Sequence, residues 1–262
     1  MSRCGAALLA LAALLAAACS SRTDTPSAPE ARRSGFEFMT PAVQVLQRDD
    51  TQNPAMLWVQ DGEALWNRAA GTAGRSCAGC HGDARASMRG VAARYPRFDA
   101  ALGRPLTLAQ RIAQCRTARQ QAPAFAADGS ELVGLETFVA HQSRGLPIAP
   151  DDDPRLEAFR ERGRTLYRER IGQLHLSCAL CHDERAGMHL GGSVIPQGHP
   201  TGYPVYRLEW QGMGSLPRRL RNCMAGVRAE PFAPGAIEWV ELELYLAERA
   251  RGMTLETPAV RP

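Results

Sequence analysis

Two Cys-x-x-Cys-His pentapeptides, Cys77-Ala78-Gly79-Cys80-His81 and Cys178-Ala179-Leu180-Cys181-His182, constrain this chain more than any other feature. Two cysteines at this spacing form thioethers to the vinyl groups of a haem, and the adjoining histidine reaches the iron as proximal ligand. A redox dithiol has no need of the histidine, and a zinc site needs further ligands nearby. The motifs therefore predict two covalently bound haem c groups, attached at Cys77 and Cys80 and at Cys178 and Cys181. His81 and His182 are the proximal ligands.

The motifs sit inside a longer repeat. Residues 62–81 map onto 163–182 with a constant shift of 101 positions, so that Gly62 meets Gly163, Trp66 meets Tyr167 and Ser76 meets Ser177. Downstream, Glu131–Glu136 and Gly145 match Glu238–Glu243 and Gly252. Apolar residues at Leu132, Leu135, Phe138 and Val139, and at Trp239, Leu242, Tyr245 and Leu246, have helical spacing. Both stretches end in Arg-Gly, a common helix stop. Each repeat reads as lead-in helix, haem motif, loop and closing helix. The expected fold is all-α: two tandem cytochrome c-like domains, 51–150 and 151–262, with a linker at Asp151-Asp-Asp-Pro154. A chain of 262 residues has room for two cores of about 100 residues each.

The distal ligands follow from the same repeat. Leu108–Cys115 aligns with Leu216–Cys223, placing Cys115 and Cys223 at equivalent positions between haem motif and closing helix. Both are expected to ligate iron as thiolates, an arrangement that stabilises ferric iron and lowers the reduction potential. A Cys115–Cys223 disulfide is the alternative; it would require the two positions to face each other within the short reach of the bond. Methionine ligation is another, from Met88, Met188, Met213 or Met224, as is histidine ligation of the second haem by His175, His189 or His199. His141 reads as a surface residue.

The two cysteines differ in their surroundings. Arg111, Arg116 and Arg119 flank Cys115, whereas Arg218, Arg219, Arg221 and Arg228 crowd Cys223, with Arg207 nearby. Guanidinium groups favour thiolate over thiol and bind small oxyanions. On a helix, Arg219 lies one turn before Cys223 on the same face. All 31 basic residues are arginine and the net charge is only +4, too small to suggest nucleic acid.

The N-terminus reads as an export signal over residues 1–18: Arg3, a short Ala/Leu run too short to span a bilayer, then small residues. Cys19 could be lipidated, the one route by which the chain would meet a membrane. Residues 19–50 read as a polar, Pro-rich tail and lead-in, tether-like to about residue 35. The expected location is the periplasm.

The segment Pro196–Gln211, followed by Arg218-Arg-Leu-Arg-Asn-Cys223, resembles SoxA, the catalytic cytochrome family of thiosulfate-oxidising SoxAX complexes. The resemblance covers nearly the whole mature chain. It implies L-cysteine S-thiosulfotransferase activity. Thiosulfate is joined oxidatively to a cysteine on the flexible arm of a SoxYZ carrier protein, and two electrons pass through haem to a cytochrome c acceptor. It implies that Cys223 is catalytic and can carry a persulfide, that Arg219 binds substrate, and that a monohaem SoxX subunit is the partner. The first haem is absent from some members, but this chain keeps every ligand for it. Two rival readings remain: a thiosulfate dehydrogenase forming tetrathionate, disfavoured by the Pro196–Gln211 stretch, and a non-enzymatic dihaem electron carrier. Low-temperature EPR of the oxidised protein is expected to show thiolate-ligated low-spin haem; signals of methionine-ligated haem alone would favour the carrier.

Overall fold

The computed structural model describes residues 31–262, and of these residues 33–262 form one unit. The expected signal peptide, the Cys19 site and the tail up to residue 30 lie outside the described residues. The Arg33 amide donates to Gln197 Oε1 at 2.7 Å, and Ser34 and Glu37 form a reciprocal capping box over the turn Gly35–Phe38.

The first half runs through α1 (Pro41–Arg48), α2 (Met56–Asn67), α3 (Cys77–His81), α4 (Ala84–Ser87), the hairpin β1 (Arg97–Asp99) and β2 (Arg104–Leu106), α5 (Leu108–Ala118) and α6 (Ser130–His141). The second runs through α7 (Glu157–Arg168), α8 (Cys178–His182), β3 (His189–Leu190), β4 (Ser193–Val194), β5 (Val205–Arg207), β6 (Gly212–Gly214), α9 (Leu216–Gly226), α10 (Ile237–Arg249) and β7 (Ala259–Arg261). Helices carry the architecture, and the expected all-α class needs amending by three small sheets among the described residues. In the largest, β5 pairs antiparallel with β6 and parallel with the C-terminal β7. Strands of two or three residues are too short to show an alternating pattern.

The lead-in and closing helices cross at backbone contact in each half. A Cβ on Gly62 of α2 would lie 2.2 Å from the Gly134 carbonyl oxygen of α6. One on Gly163 of α7 would lie 2.0 Å from the Glu241 carbonyl oxygen of α10. Only glycine fits either crossing. Around them pack Trp66 with Leu135, Phe138 and Val139, and Tyr167 with Trp239, Leu242, Tyr245 and Leu246. The chain then turns through Gly71 (φ 67°) and Gly172 (φ 69°). There, an added Cβ would meet the Gln120 and Val227 carbonyls at 2.0 and 2.2 Å. Ser76 and Ser177 cap the two haem-motif helices, accepting from Gly79 N and Leu180 N at 2.9 and 3.2 Å.

The halves are not strung on a loose linker. Ala55 and Val133 share a core with Tyr206, Met213 and Val260. The Asp151–Pro154 segment is pinned: Asp151 accepts from Phe98 N at 3.2 Å and its carbonyl from Arg160 at 2.9 Å, while Asp152 pairs with Arg251 at 2.7 Å. Between the halves lies a cavity of about 320 Å³ into which α6 and α10 present Glu136 and Glu243. Burial, then the charge of Asp128, pushes the Glu136 carboxyl up to about 7. Burial, with Glu136 and Asp128, holds Glu243 well above the carboxylate range.

Two predictions follow from this packing. Gly163→Ala should cost about 1–3 kcal/mol by overpacking, read as a fall of several degrees in Tm; an unchanged Tm would contradict the crossing. A carboxyl raised on folding favours the native state below its unfolded value and loses that contribution as pH rises through the folded one. Glu136→Gln should therefore flatten the decline in stability between pH 4.5 and about 7, measured by denaturant unfolding across that window.

Candidate functional site

The second half brings Cys178, His182, Arg219 and Cys223 together. α8 is a single capped turn, and its last residue, His182, directs Nδ1 to the Pro196 carbonyl oxygen at 2.7 Å. A carbonyl only accepts, so Nδ1 carries the proton and Nε2 is left with a lone pair for a metal or a donor. Gly198, at φ 70°, packs under the same ring, where a Cβ would stand 3.0 Å from His182 Cγ. The Pro196–Gly198 backbone thus fixes the tautomer and the tilt of the imidazole. The sulfur of Cys223 lies beside this imidazole. Burial pushes the Cys223 thiol up, but the neighbouring His182, Arg219 and Arg207 outweigh it, leaving it below its ordinary range. Cys178 goes the other way: burial, with Cys223 nearby, pushes it up to about 11.

The arginines crowding Cys223 in the sequence have separate fates. Arg218 stacks on Trp210 at 4.2 Å and reaches the Met213 carbonyl at 3.4 Å. Arg221 pairs with Asp128. Arg228 is exposed at a left-handed position. Arg207, held by Glu209 at 2.7 Å, and Arg219 are the two whose charge acts on Cys223. Tyr203 joins them: burial pushes its phenol up, while Arg219 and Arg207 pull it down. Among the described residues, no carboxylate lies within ion-pair distance of Arg219.

The first half repeats the frame with different chemistry. α3 carries Cys77, Cys80 and His81, and Cys115 on α5 lies close enough to Cys77 to add to the burial that raises its thiol. His81 and Cys80 are exposed, whereas Cys181 and His182 are half-buried. Arg111 takes the position of Arg219, one turn before Cys115, but is bound at 2.6 Å by Asp99, which is only 7% exposed. Arg116 lies over Phe125 at 4.6 Å and donates to the Pro123 carbonyl. Arg119 ends α5 as its C-cap.

Cys115 and Cys223 are both free thiols, so no disulfide joins them. Met88 packs into the first core, Met224 into the second and Met213 into the shared one. Met188 is 56% exposed; His175 and His189 are exposed, and His199 is half-buried. His141 is half-buried at the end of α6, not on the open surface as expected. Sequence reasoning missed the Pro196 carbonyl, Gly198 and Tyr203, although all three lie in the segment that carried the resemblance.

The donor set fits a c-type haem. Two thiols on one short helix match two vinyl groups, and the His182 imidazole, oriented through Nδ1, lies beside the Cys223 sulfur. A haem held by Cys178, Cys181 and His182 would supply an electron acceptor beside Cys223. Gly198→Ala should disturb His182 alone: the spectrum of the second site should shift while that of the first stays, and equal change at both would contradict this seating.

Comparison with known proteins agrees with this geometry. The family described as SoxA/TsdA, cytochrome c domain, matches residues 61–148. The L-cysteine S-thiosulfotransferase subunit SoxA of Rhodovulum sulfidophilum is 38% identical over 229 residues, covering 87% of this chain and 80% of that protein. The SoxA subunit of Paracoccus pantotrophus is 35% identical over 228 residues, covering 87% and 78%. The crystal structure of SoxXA from P. pantotrophus superposes with a TM-score of 0.85 at 34% identity, over 88% of this chain and 87% of that one.

Proposed function

The chain belongs to the SoxA family of L-cysteine S-thiosulfotransferase subunits, and from that premise we propose that Cys223 and Arg219 form its active site, in the second of two tandem cytochrome c-like domains. Two haem c groups are held by Cys77, Cys80 and His81 and by Cys178, Cys181 and His182. Cys115 and Cys223 are the distal ligands. The observation that carries this reading is the difference between two equivalent arginines: Arg111 is neutralised by a buried carboxylate, Arg219 is not.

The reaction joins thiosulfate to a carrier cysteine: carrier-S⁻ + S₂O₃²⁻ → carrier-S–S–SO₃⁻ + 2 e⁻. An S–S bond forms and two electrons leave. Arg219 binds the sulfonate end of thiosulfate through charge-assisted hydrogen bonds, which aims the outer sulfur at Cys223. Cys223, whose thiol is held below its ordinary range, forms an S–S bond to the outer sulfur as two electrons pass to the cytochrome c acceptor; the carrier thiolate then attacks that sulfur and Cys223 leaves as thiolate. Burial of the site keeps water from competing for that bond. The partners are a SoxX-like monohaem subunit, a SoxYZ-like carrier and a cytochrome c acceptor, in the periplasm. A methionine-ligated electron carrier is disfavoured because Met213 and Met224 face packed cores.

Arg219→Ala should raise KM for thiosulfate roughly 10- to 100-fold, the loss of one charge-assisted contact, with the haem spectrum intact. Arg111→Ala should leave that KM unchanged. Conjugation would be followed by the mass of the carrier protein. Cys223→Met should keep haem and abolish conjugation. Tetrathionate formed in the absence of carrier would instead favour a thiosulfate dehydrogenase.

A further inference from the structure

Helices α5 and α9 carry the two distal cysteines, and their N-termini are built differently. Thr107 caps α5 by a closed local device: Thr107 Oγ1 accepts from Gln110 N at 3.2 Å, and Gln110 Oε1 accepts from Thr107 N at 3.1 Å. Ser215 takes the place of Thr107 in α9 and accepts from Arg218 N at 3.2 Å. The residue in the place of Gln110 is Arg218, which has no acceptor to complete the box. The Ser215 hydroxyl instead donates to the carboxylate of Asp128, and the Arg221 guanidinium donates to the same carboxylate. Asp128 belongs to the first half. It grips α9 at its cap and again one and a half turns on, at Arg221, two residues before Cys223.

Asp128 also stands in an unfavourable backbone conformation, φ 55°. The equivalent position in the second half, just before α10, is Gly235, at φ 79°. A left-handed residue other than glycine is uncommon, though aspartate tolerates it better than most. The carboxylate is therefore present in the half where it reaches α9 and absent from the half where it would reach α5. Ser215 is buried, and Asp128 and Arg221 are only 24% and 31% exposed, so solvent competes weakly for these bonds.

We propose that Asp128 is a positioning residue for Cys223: a carboxylate of the first half that fixes the N-terminus and rotation of the helix on which the second half's reactive sulfur rides. The inference rests on the assignment of Cys223 as ligand and reactive group. It gives the first half a task in turnover that requires no electron to pass through it. Arg219 and Cys223 lie one turn apart on the same face of α9, so rotating the helix moves the oxyanion contact and the sulfur together. Binding of thiosulfate is then less affected than alignment of its outer sulfur with the carrier thiolate.

The test is Asp128→Gly in the haem-loaded protein with its partner subunit. Glycine removes the carboxylate but favours the left-handed backbone, so the fold is retained. Conjugation should lose kcat by about tenfold or more, since small misplacements at a reacting centre are costly, with KM for thiosulfate within about twofold. The thiolate EPR signal of the second haem should spread or split while that of the first is unchanged. Asp128→Asn, which keeps an acceptor for Ser215, should restore a sharp signal and part of kcat. An unchanged kcat and second-haem signal in the glycine variant would overturn the proposal. So would equal broadening of both haem signals with a lowered Tm, which would mark general packing. If wild-type protein shows no thiolate signal from Cys223, the premise fails first and this inference with it.

Discussion

Everything in this fold depends on two helices being able to touch at their backbones. At Gly62 and again at Gly163, the helix that leads into a haem motif lies against the closing helix with no room for a methyl group. That contact sets where each Cys-x-x-Cys-His turn emerges, and so where the histidine meets the distal cysteine. The aromatic pairs beside it, Trp66 with Phe138 and Tyr167 with Tyr245, fill the space the glycines leave. The serine caps then start the motif helices at the same point in both halves.

Given one frame used twice, function is a matter of what was changed between the copies. Asp99 reaches Arg111 from the end of a short strand and cancels its charge. In the second half a different strand, β5, ends in Arg207, which adds a second cation facing Cys223. One site is therefore electrically closed and the other is open to an anion. The halves are welded through a shared core and through Asp128, which accepts from Ser215 and Arg221 of the second half.

Much of this was legible in the residues. The haem motifs, the repeat, the glycine crossings' helices, the matched cysteines and Arg219 all stand in the order of the chain, because local spacing and helical period encode them. What the sequence could not show depends on partners far apart or on the backbone. The ligand-orienting group for His182 is a carbonyl of Pro196, and every residue has a carbonyl. The pairing of β5 with the C-terminal strand joins three-residue segments with no periodic signature. Asp99 and Asp128 read as ordinary loop aspartates until the fold brings Arg111 and Arg221 to them. Nothing in an Arg-Ser-Gly run announces the bond from Arg33 to Gln197.

The central claim is that the two distal cysteines share a position but not a chemistry. It is tested most directly by exposing the oxidised protein, without carrier, to thiosulfate labelled in its outer sulfur, and then mapping the label by peptide mass spectrometry. Label on the peptide containing Cys223 and none on that containing Cys115 is the result this account predicts. Label on Cys115, or equally on both, would contradict it.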